Sequence, residues 1–175
     1  MSDDFWVFAY GSLMWRPGFE HIEARAALLR GYHRDMCVVS TIYRGTPECP
    51  GLVMGLDRGG ACRGRAFRVA SENEAAVRAY LDDREMVTMV YTPRMLPVTL
   101  EDGRRIPAWC FVVRRDHPQY AGRLPPDEAA RLIRQGVGRA GGAREYLALT
   151  VAHLEDMGIL DGALHRLLDL VDGGG

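Results

Sequence analysis

The sequence contains no lysine: all 22 basic residues are arginine. That absence removes several chemistries. Schiff-base and pyridoxal-phosphate enzymes need a lysine amine. The phosphate loop GxxxxGK(S/T) and the strand lysine of kinases need one too. In other respects a lysine-free composition reads as a GC-rich genome writing arginine for lysine. Excess positive charge is also lacking. The net charge is −1, and the arginines are scattered, so no nucleic-acid partner is expected. No apolar run approaches the roughly 18 residues needed to span a membrane. The opening MSDDFWVFAY is acidic and passes straight into a strand-like run, unlike a signal peptide.

Metal-binding and redox spacings are missing as well. Cys37, Cys49, Cys62 and Cys110 form no CxxC pair, so neither a zinc knuckle nor a thioredoxin-type site is supported. Cys37 and Cys110 lie in apolar runs and read as buried small hydrophobes. The five histidines show no HxxEH or similar spacing. His33 and Cys37 are four apart in a strand-like segment, which would separate them by about 13 Å. No metal and no cofactor is expected, and a reduced, cytoplasmic protein is the simplest account.

What is present suits one globular domain over residues 1–175. Hydrophobic residues make up 47% and charged residues 26%, enough to bury a core without disulfides or metal. The first half reads as β: residues 5–10, 35–41, 51–56 and 62–69, with Asp57-Arg-Gly-Gly60 as a hairpin turn. Ser71-Glu-Asn-Glu74 is a capping box opening a helix that ends near Arg84-Glu85-Met86. Strands are expected again over 87–91, 95–100 and 106–113. The last third reads as α. One helix starts at Pro125-Pro126-Asp127 and runs through Ile133, and Gly136 to Gly142 is a loose break. A helix over 144–157 carries the stripe Tyr146, Leu149, Thr150, His153, Leu154 and Met157, and Gly158 stops it. A final helix spans 162–171, and Gly173-Gly-Gly175 frays. Strands first and helices later, with one helix crossing between strands, predict α+β around a mixed sheet or small barrel.

Four features carry candidate chemistry, each beside a plainer reading. Tyr10-Gly11-Ser12-Leu13 ends a buried-type strand. Successive NH groups there can face an anion or carbonyl, or the segment is an ordinary turn. Glu85 lies four residues after Leu81 and one before Met86. It either joins a solvated charge cluster or points inward, where desolvation raises its pKa into an acid/base range. Arg44 sits in a stiff loop with two prolines and two glycines, as a carboxylate clamp or as part of a structural turn. Tyr120, in Pro118-Gln-Tyr120-Ala-Gly122, lines a pocket or merely packs.

In this order, the segments resemble the ChaC-like, glutathione-specific γ-glutamylcyclotransferases. The matching pieces are Tyr10-Gly-Ser-Leu13, Arg30-Gly-Tyr-His-Arg34, Arg44-Gly-Thr-Pro-Glu48 with Pro50-Gly-Leu, and Gly59-Gly-Ala-Cys-Arg-Gly64. Tyr80-Leu with Arg84-Glu85-Met86, Pro118 to Gly122, and Glu145-Tyr-Leu147 complete the set. The resemblance spans roughly residues 5–170. It implies a small mixed β-barrel flanked by helices, and cleavage of glutathione to 5-oxoproline and Cys-Gly. It also implies Glu85 as the acid/base residue. Tyr10, Gly11, Ser12 and Leu13 would cradle the γ-glutamyl group, and Tyr120 would line the same pocket. The residue reading adds that any cation meeting substrate carboxylates is a guanidinium, with Arg44 and Arg84 the first candidates. Asp83 departs from the family pattern; it either adds charge beside Glu85 or faces solvent.

Rival readings share the fold. One is a cyclotransferase for other γ-glutamyl peptides or γ-glutamylamines. Another is a non-catalytic binder of γ-glutamyl ligands. A hydrolase built on Cys37 or Ser12 needs a histidine in reach.

Overall fold

The computed structural model describes residues 4–173. The chain forms two compact units. The first comprises the chain up to Arg34 together with Leu56–Arg114; the second comprises Asp35–Gly55 and the chain from Arg115 onward.

The strands of the barrel are β1 (Phe5–Ala9), β2 (Glu23–Ser40), β3 (Gly51–Val69), β4 (Tyr91–Leu100) and β5 (Arg105–Val113). They close in the order β1-β3-β2-β4-β5. In the first unit β1 runs antiparallel to β3, with Phe5 opposite Val69 and Ala9 opposite Arg65. It lies parallel to β5 through Val7 and Trp109. The β2/β4 and β4/β5 pairs are antiparallel. The barrel is therefore mixed, as expected. Alternation along the strands turns Phe8, Leu29, Leu56, Ala66, Val98 and Cys110 into one buried cluster. α1 (Glu74–Glu85) connects β3 to β4 in the same unit.

In the second unit α2 (Pro126–Gln135), α3 (Ala143–Asp156) and α4 (Gly162–Gly173) pack on one another. Arg134 donates to the carbonyls of Leu170 and Val171, two of the acceptors that a helix end leaves open. Gly158 takes φ 70° after α3, and the Ile159 NH returns to the Leu154 carbonyl. Both are the marks of a glycine-terminated helix.

Several expectations are corrected. Gly59 and Gly60 do not turn a hairpin; they lie inside β3 with φ of 106° and 68°. The Gly59 carbonyl instead lies 3.0 Å from His33 Nδ1 on the neighbouring β2. The reversal is at residues 41–50. No capping box forms at Ser71. A single 3-10 turn covers Ser71–Asn73, neither helix start carries a side-chain cap, and Glu74 is held by Arg78 at 2.8 Å. Residues 86–90 are irregular rather than a strand, with Val87 and Met89 exposed and Met89 at φ 61°. The break at Gly136 to Gly142 contains a two-stranded ribbon, β6 (Val137–Gly138) and β7 (Gly141–Gly142). The buried stripe of α3 is Ala143, Leu147, Thr150, Val151 and Leu154, while Leu149 is exposed. α4 runs on to Gly173; of the glycines expected to fray, Gly174 and Gly175 lie outside the described residues.

One charge network fastens the strand ends of the first unit. Glu23 accepts from Arg25 at 2.7 Å, Arg68 at 2.8 Å and Arg104 at 2.5 Å. Arg68 also reaches Asp4 at 2.6 Å. The hydrogen bonds from Arg25 and Arg104 pull the Glu23 carboxyl down to about 2, against an ordinary value of 4.5. A depressed carboxyl contributes stability above its unfolded pKa and loses it as pH falls through the folded one. Glu23→Gln should therefore lower the melting temperature at pH 7, and the gap to wild type should close between pH 4.5 and about 2. Thermal melts across that range check it.

Candidate active site

The turn after β1 is set by what is buried. Leu13 and Met14 are buried, which pins the single 3-10 turn Ser12–Met14. Met14 donates to the Gly11 carbonyl at 2.9 Å and Arg16 to the Ser12 carbonyl at 2.8 Å. The NH groups of Ser12 and Leu13 open the turn and find no partner among the described residues. They are the kind of donors that meet an anion or a developing oxyanion.

Tyr10 is fixed from behind. Its ring packs against the barrel cluster, and its carbonyl accepts from Arg34 Nε at 3.0 Å. The buried Arg34 guanidinium also donates to the Arg63 carbonyl on β3. Next in β3 is Gly64, where a Cβ would lie 2.2 Å from the Ala9 carbonyl. Only glycine permits that approach.

α1 buries Val77 and Leu81, four residues apart, and Glu85 is the next position on that face. The inward reading of Glu85 is the one observed. Its side chain keeps 21% exposure, so it is enclosed yet open to a ligand. No hydrogen bond reaches its carboxylate among the described residues, and the Arg84 Nε stands 3.6 Å away. Burial pushes the carboxyl above its ordinary value, against a weaker opposing pull from Arg84. Its place at the carbonyl end of α1 acts in the same direction as burial. Asp83 is exposed, so its charge faces solvent.

Arg84 brings Glu85 and the β1 turn together. It donates to Ser12 Oγ at 2.8 Å, to the Arg16 carbonyl at 2.9 Å and to Tyr80 Oη at 3.1 Å. Tyr10 to Leu13 and Glu85 thus share the first unit.

Arg44 and Tyr120 belong to the second unit. The Arg44 NH is capped by Ser40 Oγ at 3.0 Å. Its guanidinium donates to the Gly142 carbonyl at 3.2 Å and lies 5.3 Å from the Tyr146 ring centre. Glycines wall its backbone: a Cβ at Gly136 would meet the Arg44 carbonyl at 2.4 Å. Tyr120 is not on a free loop. It bridges Val38, while Gln119 and Ala121 exchange backbone hydrogen bonds with Val39 and Cys37, so the segment adds to β2. Its ring is partly exposed and faces Arg115 at 5.9 Å.

The sequence reading missed Arg34 and Tyr146 as supports. Arg34 stands in the quoted Arg30 to Arg34 segment, but one arginine among 22 gives no sign of burial. As for thiol chemistry, all four cysteines are free, Cys37 is buried, and burial pushes the Cys110 thiol up to about 12. A nucleophilic cysteine needs the opposite shift. Among the described residues no helix is long and apolar enough to cross a membrane.

A family model described as ChaC-like protein matches residues 5–173. The glutathione-specific γ-glutamylcyclotransferase of Escherichia coli (strain K12) is 36% identical over 163 residues, 93% of this chain and 71% of that protein. The human glutathione-specific γ-glutamylcyclotransferase 1 is 34% identical over 146 residues, 81% of this chain and 66% of that protein. The chain thus spans a little under two thirds of the human relative's length. A yeast γ-glutamyl cyclotransferase specific to glutathione, known from its crystal structure, superposes with a TM-score of 0.87. The match covers 99% of this chain and 97% of that one at 24% identity, and it shows the fold: a five-stranded barrel with four helices, α+β as expected.

Removing Arg34 leaves the Tyr10 and Arg63 carbonyls without their buried donor. Arg34→Met should cost about 2 kcal/mol or more of stability, the penalty of unpaired buried polar groups. Urea titration followed by circular dichroism measures it.

Proposed function

The chain belongs to the ChaC-like family, and on that premise we propose that it is a glutathione-specific γ-glutamylcyclotransferase, a carbon–nitrogen lyase of glutathione catabolism. The observation that carries the reading is Glu85: an enclosed carboxylate with no hydrogen-bond partner among the described residues, tied through Arg84 to the Ser12 turn. A structural carboxylate is normally paired. One without a hydrogen bond, facing a guanidinium only at 3.6 Å and raised by burial, is fitted to take and return a proton. The names of the relatives in Escherichia coli and human point to the same reaction and substrate.

Glutathione carries its own nucleophile. The Glu85 carboxylate takes a proton from the substrate α-ammonium. The freed amine attacks the γ-carbonyl carbon and closes a five-membered ring, and the carbonyl electrons move onto oxygen. In this scheme the open NH groups of Ser12 and Leu13 receive that oxyanion. Glu85 then returns its proton to the departing amide nitrogen, and the oxyanion electrons re-form the carbonyl as the C–N bond breaks. The second proton of the ring nitrogen passes to the released amine, so that 5-oxoproline and Cys-Gly, the latter as its ammonium form, leave. The attack is intramolecular, so holding the substrate folded removes much of the barrier; effective molarities reach about 10⁵ M or more in favourable cases. The step needs neither metal nor cofactor.

Tyr10, Gly11, Ser12 and Leu13 take the γ-glutamyl group in this scheme. Arg44, whose Nε and second amino group are uncommitted among the described residues, and Tyr120 are the further residues we assign to substrate binding. Arg84 is not assigned as a carboxylate clamp, because three of its N–H groups already hold Arg16, Tyr80 and Ser12 and its Nε faces Glu85. We read residues 1–175 as one catalytic domain, supported by a family model that spans parts of both units. Four free thiols suit a reducing compartment such as the cytoplasm.

Incubation with glutathione should release Cys-Gly and 5-oxoproline in equal amounts. Turnover of γ-glutamylamines instead would reassign the substrate; a melting shift with glutathione and no turnover would mark a binder. Glu85→Gln should cut kcat by at least about 100-fold; a variant keeping more than about a tenth of the rate rules Glu85 out as the essential base. The same variant carries a stability signature. A raised carboxyl is most stabilising below 4.5, and that contribution is lost as pH rises through the folded value. At neutral pH the buried charge is a burden, so Glu85→Gln should melt above wild type at pH 7, and the gap should shrink as the pH is lowered. For the same reason the acidic limb of the kcat/KM profile should lie above the usual carboxylate value.

A further inference from the structure

We propose that Arg84 is a positioning residue that fixes the Ser12 hydroxyl as a hydrogen-bond donor to the γ-glutamyl substrate and holds the Ser12 turn in register with Glu85. This rests on the reading of Glu85 given above.

A serine hydroxyl has one proton and two lone pairs, and its polarity toward a ligand depends on what already occupies it. Arg84 has only protons to give. At 2.8 Å its guanidinium takes a lone pair of Ser12 Oγ, so the hydroxyl meets Arg84 as an acceptor. No described residue accepts the Ser12 proton. That proton is left for a ligand acceptor, a carboxylate or carbonyl oxygen, beside the open NH groups of Ser12 and Leu13. The same guanidinium donates to the Arg16 carbonyl at the far side of the turn and to Tyr80 Oη one turn back on α1. Tyr80 Oη in turn lies against Gly18, where a Cβ would come within 2.1 Å of it. Two contacts from one planar group therefore join the turn to the helix at the residue preceding Glu85, and a third, to Tyr80 within α1, steadies that group. Three of the five N–H groups are engaged in this way, so Arg84 is held by the protein rather than kept open for substrate. The remaining Nε stands 3.6 Å from the Glu85 carboxylate.

A double-mutant cycle of Arg84→Gln and Ser12→Ala tests this. It is read as kcat/KM for glutathione, and as glutathione Kd by calorimetry with Glu85→Gln present throughout. Arg84→Gln alone should cost about 30-fold, in line with a charged hydrogen bond, and under about threefold once Ser12 is alanine. Arg84→Lys retains the charge without the fork. It should keep the acidic limb of the pH profile near wild type yet lose turnover, whereas Arg84→Gln should move that limb to higher pH. The lysine variant also closes a second cycle with Ser12→Ala should the glutamine variant fail to fold. Additive losses in both kcat/KM and Kd overturn the proposal; so does a lysine variant with full activity. Turnover surviving in Glu85→Gln overturns the acid/base reading instead, and the Kd cycle still decides the role of Arg84.

Discussion

A carboxylate kept mostly out of water, yet given no hydrogen bond, is the arrangement on which the rest of the first unit depends. Dehydration and the carbonyl end of a helix both disfavour its charge, and nothing but a guanidinium at 3.6 Å offsets them. Such a group survives only if its surroundings are rigid. Val77 and Leu81 bury the face that leads to it, Leu13 and Met14 anchor the turn, and Arg84 joins the two.

Arginine does much of the fastening. Arg34, Arg44, Arg84 and Arg134 each donate to backbone carbonyls. A planar group with five donors can bridge two carbonyls at once, which a lysine ammonium on its flexible stem does poorly. A lysine-free sequence is thus well provided with side chains that cross-link irregular backbone. The permanent charge also means that the titrations shaping activity fall to carboxylates, histidines or the substrate amine.

The α+β succession of strands and helices was legible in the residues, which left sheet or barrel open and offered the inward Glu85 as one of two readings; the mixed barrel came from the family resemblance. Alternation over 62–69 and the spacing of Leu81 and Glu85 are local patterns, and local patterns survive folding. The failures were places where a distant partner outvoted a local signal. Asp57-Arg-Gly-Gly60 has turn composition, but pairing with β2 kept it extended. Ser71 and Glu74 have capping-box spacing, but Arg78 claimed the carboxylate. Val87 and Met89 look strand-like, yet both are exposed and Met89 itself lies in the left-handed region. Arg34 and Arg84 were visible as residues only, because their meaning lies in carbonyls and hydroxyls tens of positions away.

Each of the two units is discontinuous in sequence: the chain passes between them after Arg34, after Gly55 and after Arg114. On a ribosome the residues of the first unit are all available only once Arg114 has emerged. Asp35–Gly55 must then wait for the helices beyond Arg115. The first unit can therefore form ahead of the second only with Asp35–Gly55 left out as an insertion. Neither unit can be cut out of the chain by a single scission. The order of completion is written into the connectivity.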